Sequence, residues 1–523
     1  MRKISRRSFL AAFGLSGASL ALSACSASSS SNSSSVASVS TTETEDAEEG
    51  IAQTTAGQVQ GTNEDGIFRF LGVPYAEAKE RFVPAEDITP WEGVLSADSY
   101  GPITPQGAML GQQGDQTGTD NNCQNLNIWT PGLDDKARPV MVWLHGGGFS
   151  SGSANGSGYD GEALARSNDV VVVGVNHRLN VFGFLDLSAY SDKYSQPNVG
   201  LTDIIKSLEW VRDNIAAFGG DPDNVTLFGQ SGGGAKILAL MSAPEAKGLF
   251  QKGIIQSGAT ETMGVRFNTQ EASTALAENI LKNLNITADN IEDIQTVSGD
   301  DLVQAAAQGL QQTGEQLDIR TSLTGDYGMD WEPYIDGTFL PTNPVTDDGF
   351  ADAGKDVALL IGSNLNEWTG FFPSDPIPVT DELTVALQSA YPDKTDLTAE
   401  HVDTSLIRLP LLKIMSHKAD QNGASVYAYV FTYGNSYHGA EIPFVFDHPD
   451  EAGATNEVKI LADQVSTAWA NFARNGVPSA DGLPTWEAYT REGGATMLLD
   501  TTSTLVYHHD DALLKLLVPD YEY

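Results

Sequence analysis

Six short apolar runs limit the fold most. "PVMVWL" (Pro139–Leu144), "VVVVGV" (Val170–Val175), "VTLF" (Val225–Phe228), "GIIQSG" (Gly253–Gly258), "VALLIG" (Val357–Gly362) and "VYAYVF" (Val426–Phe431) are brief and show little of the polar alternation of a half-exposed strand. Such runs predict strands buried on both faces. Between them the spacing changes. "LTDIIKSLEWVRDNIAAFGG" places Leu201, Ile204, Ile205, Leu208, Val211, Ile215 and Phe218 on one helical face and stops at Gly219 and Gly220. Doubly buried strands alternating with helices predict an α/β protein: a large, mostly parallel central sheet flanked by helices. Two stretches, about 262 to 320 and 371 to 420, are rich in helical pattern and poor in strands. They read as helical insertions capping one edge of the sheet. With no internal repeat and no second low-complexity linker, a single domain is expected over residues 51–523.

The first fifty residues differ in character. "MRKISRRSFL" sets Arg2, Lys3, Arg6 and Arg7 ahead of an apolar stretch, Phe9–Leu22, that is short for a bilayer span and suits a signal peptide. "SRRSFL" resembles a twin-arginine export signal, and "LSAC" (Leu22–Cys25) resembles the lipobox of bacterial lipoproteins. A signal peptide over residues 1–24 with lipidation at Cys25 is therefore expected. The Ser-rich, then acidic, stretch 25–50 cannot bury enough apolar surface to fold, so it reads as a disordered tether. About 25 coil residues reach on the order of 25 to 30 Å. These features predict an exported protein held at the bacterial cell membrane. Beyond Cys25 only Cys123 remains, so an intrachain disulfide is not available to the folded part. The net charge of −40 argues against nucleic acid as a partner, because such binding draws mainly on Lys and Arg neutralising phosphates.

Chemistry is suggested where the run Val225–Phe228 gives way to "GQSGGG", with Ser231 among Gly229, Gly232, Gly233 and Gly234. Glycines permit close backbone approach, so this could be a tight turn whose serine caps the next helix. The same residues fit the G-x-S-x-G nucleophile elbow, in which a strained turn lifts the serine above the sheet. A serine hydroxyl needs a base, a group to orient that base, and donors for the oxyanion. "LHGGGF" follows another strand and offers the backbone N–H groups of Gly146, Gly147 and Gly148; a flexible strand-end turn with a packed His145 would look similar.

Further segments add a family likeness that covers nearly all of the chain after the tether. "FLGVPYAEAKERF", "NLNIWTP", "NHRLNVFGFL", "NIAAFGGDPDNVTLFGQSGGG", "LFQKGIIQSG" and "NFARNGVP" stand in the order of the type-B carboxylesterases, which the chain resembles. The resemblance implies an α/β-hydrolase fold and hydrolysis of carboxylic esters through an acyl-enzyme, without metal or organic cofactor. It implies Ser231 as nucleophile, Glu367 in "GSNLNEWTG" as the acid and His438 in "HGAEIPFVF" as the base, rather than His508 or His509. It also implies an oxyanion hole formed by Gly147, Gly148 and Gly232. The order serine, acid, histidine is that of α/β hydrolases.

Several positions depart from the family's pattern. Gln230 stands where Glu is usual, Trp368 follows the acid where Gly is usual, and Thr104 replaces a cysteine that would pair with Cys123. Asn121 and Asn122 precede Cys123 where acidic residues are usual. The loop Pro105–Asn122 holds no aromatic residue to receive a quaternary ammonium group, so small neutral esters are the expected substrates. Two alternatives remain open at this stage: a surface-displayed binding protein that has lost activity, and a lipase for longer acyl chains. Oligomeric state is not legible.

Overall fold

The computed structural model describes residues 50–107, 117–321, 325–346, 348–367, 380–394 and 407–523. The signal segment, Cys25, all but the last residue of the tether, and Trp368 lie outside them, as does the middle of the loop Pro105–Asn122.

An eleven-stranded sheet organises the protein. Its strands are β1 (Thr62–Glu64), β2 (Ile67–Pro74), β3 (Asn125–Thr130), β4 (Arg138–Leu144), β5 (Val171–Asn176), β6 (Gly220–Gln230), β7 (Lys252–Gln256), β8 (Ala358–Asn364), β9 (Val426–Phe431), β10 (Ala495–Leu499) and β11 (Thr504–Tyr507). The spatial order is β11-β10-β9-β8-β7-β6-β4-β5-β3-β2-β1. From β5 to β10 every neighbouring pair is parallel. The pairs outside that span, β5 with β3, β3 with β2, β2 with β1 and β10 with β11, are antiparallel.

Each of the six apolar runs is a strand of the parallel centre, and the alternation hidden within them now has two buried destinations. In β4, Val140, Val142 and Leu144 join one core, with Val173, Leu227 and Ile255. Met141 and Trp143 point the other way, into a second core with Phe228, Ile254 and Leu360. Helices α1 (Val199–Asn214) and α2 (Gly232–Leu240) supply the first core, and α3 (Asn456–Asn475) the second. The Thr455 side chain caps α3 by accepting from Val458 N–H, and Gly476 at φ +80° ends it. Buried on both faces, these strands have no use for polar positions, which is why their sequences lack alternation.

Two boundaries differ from the sequence reading. The α-helix beginning at Val199 ends at Asn214; Ile215–Phe218 tighten into a 3-10 turn that closes on Gly219 at φ +73°. The insertions are helical, through Gln270–Asn283, Gly299–Leu317, Asp381–Ala390 and Leu409–Asp420. They do not share one edge, however. Gly299–Leu317 packs on Asn180–Phe184 and Asp381–Ala390 packs on Asp511–Leu517, whereas Leu409–Asp420 lies against β8 and β9 and helps cover the sheet. Its apolar side chains Leu411, Leu412, Ile414 and Met415 are buried there, so the segment is part of the core.

Beneath the helices is a buried ion pair, Arg178 with Asp203, both side chains 0% exposed at 2.7 Å. The Arg178 backbone N–H also donates to the same carboxylate, fixing the segment after β5 to α1. Close by, the thiol of Cys123 is buried and pushed up to about 12 by burial, so it is inert. The hydroxyl of Thr104 lies 3.1 Å from its sulfur. The position at which the family resemblance implies a pairing cysteine is thus in contact with Cys123. Thr104→Cys is therefore expected to form a disulfide with Cys123 under mild oxidation. Thiol counting after denaturation should then show the loss of one thiol against wild type; a gain of one would disprove the contact.

Candidate active site

Because the central strands are parallel, their carboxyl ends emerge together, and the segments after them meet along one rim. Register decides which segments touch. Gly229 of β6 pairs with Leu144 of β4, and Gln230 pairs with Gln256 of β7. The glycine loop after β4 and the turn after β6 are therefore side by side.

Ser231 occupies that turn at φ 56° and ψ −128°, a conformation that a side chain ordinarily avoids. Such a backbone costs of order 1 to 3 kcal/mol and persists where its surroundings over-determine it. Here the Ser231 N–H donates to the Gln256 carbonyl at 2.8 Å, and its own carbonyl begins α2 by accepting from Gly234 N–H at 2.9 Å. The glycines around it are required by space. A Cβ at Gly233 would lie 1.9 Å from the Leu144 carbonyl oxygen, one at Gly229 would lie 2.6 Å from the Gly233 carbonyl carbon, and one at Gly234 would lie 2.7 Å from Gly258 Cα.

The neighbouring loop is oriented by its carbonyls. His145 Nδ1 donates to the Gly146 carbonyl at 2.8 Å, and the Gly147 carbonyl accepts from the N–H groups of Ser150 and Ser151 at 3.2 and 3.1 Å. A trans peptide points its N–H opposite to its C=O, so the N–H groups of Gly147 and Gly148 face away from these partners. Positive φ at both, +90° and +63°, makes this turn possible. Gly232 lies against the same loop: a Cβ on it would be 2.4 Å from Gly148 N. Among the described residues, the N–H groups of Gly147, Gly148 and Gly232 have no acceptor in the protein.

Glu367 follows β8 and His438 follows β9. The structure brings them together: His438 Nδ1 lies 2.5 Å from Glu367 Oε2, with the Glu367 side chain fully buried. Two further bonds set this pair. The His438 N–H donates to the Glu367 carbonyl at 2.8 Å, and the Asn364 N–H donates to Glu367 Oε1 at 2.8 Å. With Nδ1 carrying the proton towards Glu367, Nε2 is an acceptor, and the Gln230 amide donates to it at 3.1 Å. The acceptor nitrogen is therefore held beside the turn that bears Ser231. Such an arrangement can take a proton from a hydroxyl at that turn and keep the resulting imidazolium paired with a carboxylate.

Sequence reading missed the support behind this pair. Glu441, three residues beyond His438, is 1% exposed and accepts from Asn364 Nδ2 at 2.6 Å and from Gln256 Nε2 at 3.1 Å. Gln256 in turn accepts from the Trp469 indole at 3.2 Å. Burial raises the Glu441 pKa, and the nearby Glu367 carboxylate raises it further. Gln230 was read as the loss of a carboxylate; its contact with His438 is an addition that composition could not reveal. His508 and His509 take no part, the first donating to the Glu492 carbonyl and the second lying edge-on to Tyr391.

A serine at a strand-to-helix turn and, beside that turn, a carboxylate-bound imidazole, both at the carboxyl edge of a parallel sheet, are the elements of the α/β hydrolases. Comparison with known proteins narrows the class. The model of the carboxylesterase family matches residues 48–391 and 382–513. The chain is 36% identical to the para-nitrobenzyl esterase of Bacillus subtilis over 87% of its own length and 96% of that protein's. It is 31% identical to the phenmedipham hydrolase of Pseudarthrobacter oxydans, over 86% and 94%. Among solved structures, an esterase from Clostridium hathewayi that can hydrolyse aliphatic aromatic polyesters matches with a TM-score of 0.79 at 34% identity, over 89% of this chain and 97% of that one. The chain belongs to the carboxylesterase family and is a carboxylic ester hydrolase.

Gly233→Ala tests the close approach on which the site rests. The added methyl has backbone rather than a flexible side chain in its way, so a loss of about 1 to 3 kcal/mol or more is expected. The melting temperature should fall and esterase activity with it; an unchanged melting temperature and full activity would show that α2 is free to shift.

Proposed function

We propose that the protein cleaves small neutral carboxylic esters outside the cytoplasm through an acyl-enzyme formed on Ser231. The observation that carries this reading is the 2.5 Å contact of His438 Nδ1 with buried Glu367, with Nε2 held at the nucleophile turn by Gln230. Ser231 Oγ attacks the ester carbonyl as His438 Nε2 takes its proton, and Glu367 stabilises the imidazolium. The oxyanion is received by the N–H groups of Gly147, Gly148 and Gly232, which point away from their satisfied carbonyl neighbours. His438 then protonates the leaving alcohol. Water enters by the same route, gives its proton to His438 and releases the carboxylic acid, restoring the serine. Nε2 has one lone pair, so the Gln230 amide gives it up to the Ser231 hydroxyl as the first step begins.

Neutral substrates are supported by the absence of aromatic residues from Pro105–Asn122, since a quaternary ammonium group gains about 0.5 to 2 kcal/mol from an aromatic face. The purified protein is expected to hydrolyse short p-nitrophenyl esters and to show no advantage for choline esters over their neutral isosteres. Ser231→Ala should lower the rate by about 10⁴-fold or more. Failure of a fluorophosphonate to label the folded wild type would overturn the mechanism, and activity rising steadily with acyl length would indicate a lipase.

Export and anchoring at Cys25 belong to the same proposal, supported by "SRRSFL" and "LSAC" standing in register. One acyl chain binds a membrane only marginally, whereas two or more hold firmly. In fractionated cells, Cys25→Ala is expected to shift the protein from the membrane to the soluble extracytoplasmic pool; an unchanged membrane pool would refute the anchor.

A further inference from the structure

The helix that begins after Ser231 carries a residue for which the proposed mechanism has no task. Lys236 is 0% exposed, and its Nζ donates to the His145 carbonyl at 2.9 Å and to the Gly148 carbonyl at 2.9 Å. It also lies 5.6 Å from the centroid of the Phe149 ring. Among the described residues no carboxylate forms an ion pair with it, and burial pulls its pKa down to about 7. A methionine would occupy this space without the desolvation that a buried amine incurs. The two carbonyls that Lys236 holds have a shared property: they bracket the Gly146–Gly148 segment.

We propose that Lys236 is a positioning residue of the oxyanion hole, a brace from the nucleophile's own helix that holds the His145–Gly148 loop in place. This rests on the reading of Ser231 as nucleophile. Residues 146 to 148 are all glycine, so within the loop only the His145 side chain can hold a carbonyl. Its inner carbonyls, Gly146 and Gly147, bond locally to the His145 ring and to Ser150 and Ser151, but the outer two depend on Lys236. Gly148 is seated so closely on Gly232 that a Cβ there would be 2.3 Å from the Gly148 carbonyl oxygen. One side chain thus sets the separation between donors that come from two different strand ends. The groups facing the ammonium are the imidazoles of His145 and His177, stacked at 5.2 Å. Burial, reinforced by the Lys236 charge, lowers His145 to about 3 and His177 well below the usual histidine range, so both are neutral. Arg178, next in the chain, is neutralised by Asp203.

A brace of this kind acts more on the tetrahedral oxyanion than on the planar ester, so its removal is read in kcat rather than KM. Acylation and deacylation pass through similar oxyanions, which leaves KM little changed when both slow together. In Lys236→Met, kcat for a short p-nitrophenyl ester is expected to fall by about 10- to 100-fold, somewhat less than the loss of a whole oxyanion donor. Affinity for a trifluoromethyl ketone, which forms a tetrahedral adduct with the serine, should weaken by a similar factor. KM and the affinity for a planar, uncleaved amide analogue should stay within about threefold. Wild-type kcat and ketone affinity in Lys236→Met would overturn the proposal, as would an equal loss for ketone and amide. If the methionine variant does not melt cooperatively, Lys236→Gln, which retains an amide donor, takes its place and should fall between the two. If neither variant folds, Lys236 is a structural residue and the proposal fails. Fluorophosphonate labelling of the wild type separates this outcome from failure of the Ser231 reading, since labelled wild type with unaffected Lys236 variants defeats the brace alone.

Discussion

How near the helix after Ser231 can come to the end of the strand at Leu144 governs the rest of the site. A Cβ at Gly233 would be 1.9 Å from the Leu144 carbonyl oxygen, so α2 and β4 meet backbone to backbone. That approach brings Gly232 onto Gly148 and places Lys236 within reach of the glycine loop. It also leaves Ser231 at a positive φ that no local preference of serine would choose. The strain is held by the sheet: the Ser231 N–H is bonded to Gln256 on β7, and Gln256 is bonded onward to Trp469 and Glu441.

The same sheet that buries apolar residues on both faces therefore carries a polar chain at its carboxyl edge. From the Trp469 indole the bonds run through Gln256, Glu441 and Asn364 to Glu367 and on to His438. Each of these groups is buried or nearly so, and each bond in a medium of low polarity is stronger than it would be in water. A chain bonded link to link is rigid, and rigidity matters here because His438 stands on an irregular segment beyond β9, where nothing in secondary structure fixes its ring. Stability and chemistry thus draw on the same bonds. Close to Glu367 sits a second carboxyl, Glu441, whose pKa is raised by burial and further by the Glu367 charge.

Much of this was legible in the sequence because it depends on local rules. Doubly buried strands need continuous apolar runs, and all six runs became parallel strands, as "VYAYVF" did at Val426–Phe431. The helix Val199–Asn214 was announced by its apolar spacing, and the 3-10 turn at Ile215–Phe218 was hidden because a 3-10 turn and an α-helix place apolar residues at nearly the same spacing. The insertions were legible as helices but not in their placement, since a helix's pattern shows which face is buried and not what buries it. Thr104 beside Cys123 was legible only through likeness to other chains, because no periodicity connects residues so placed.

By itself the sequence determined the α/β class, the strand runs and the glycine positions, and through likeness to carboxylesterases it pointed to Ser231, Glu367 and His438. Tertiary structure alone decided that the imidazole of His438 meets the Glu367 carboxylate while Gln230 holds its far nitrogen, and that Glu441 and Asn364 stand behind them. It alone decided that Lys236, an unremarkable residue in an apolar helix, reaches the loop after β4. The physical reason is that strand and helix patterns report neighbours a few residues apart, whereas contacts such as that between Lys236 and Gly148, 88 positions distant, are set by strand order and register. In this sheet β4 lies next to β6 and aligns Leu144 with Gly229, and no local preference encodes that pairing.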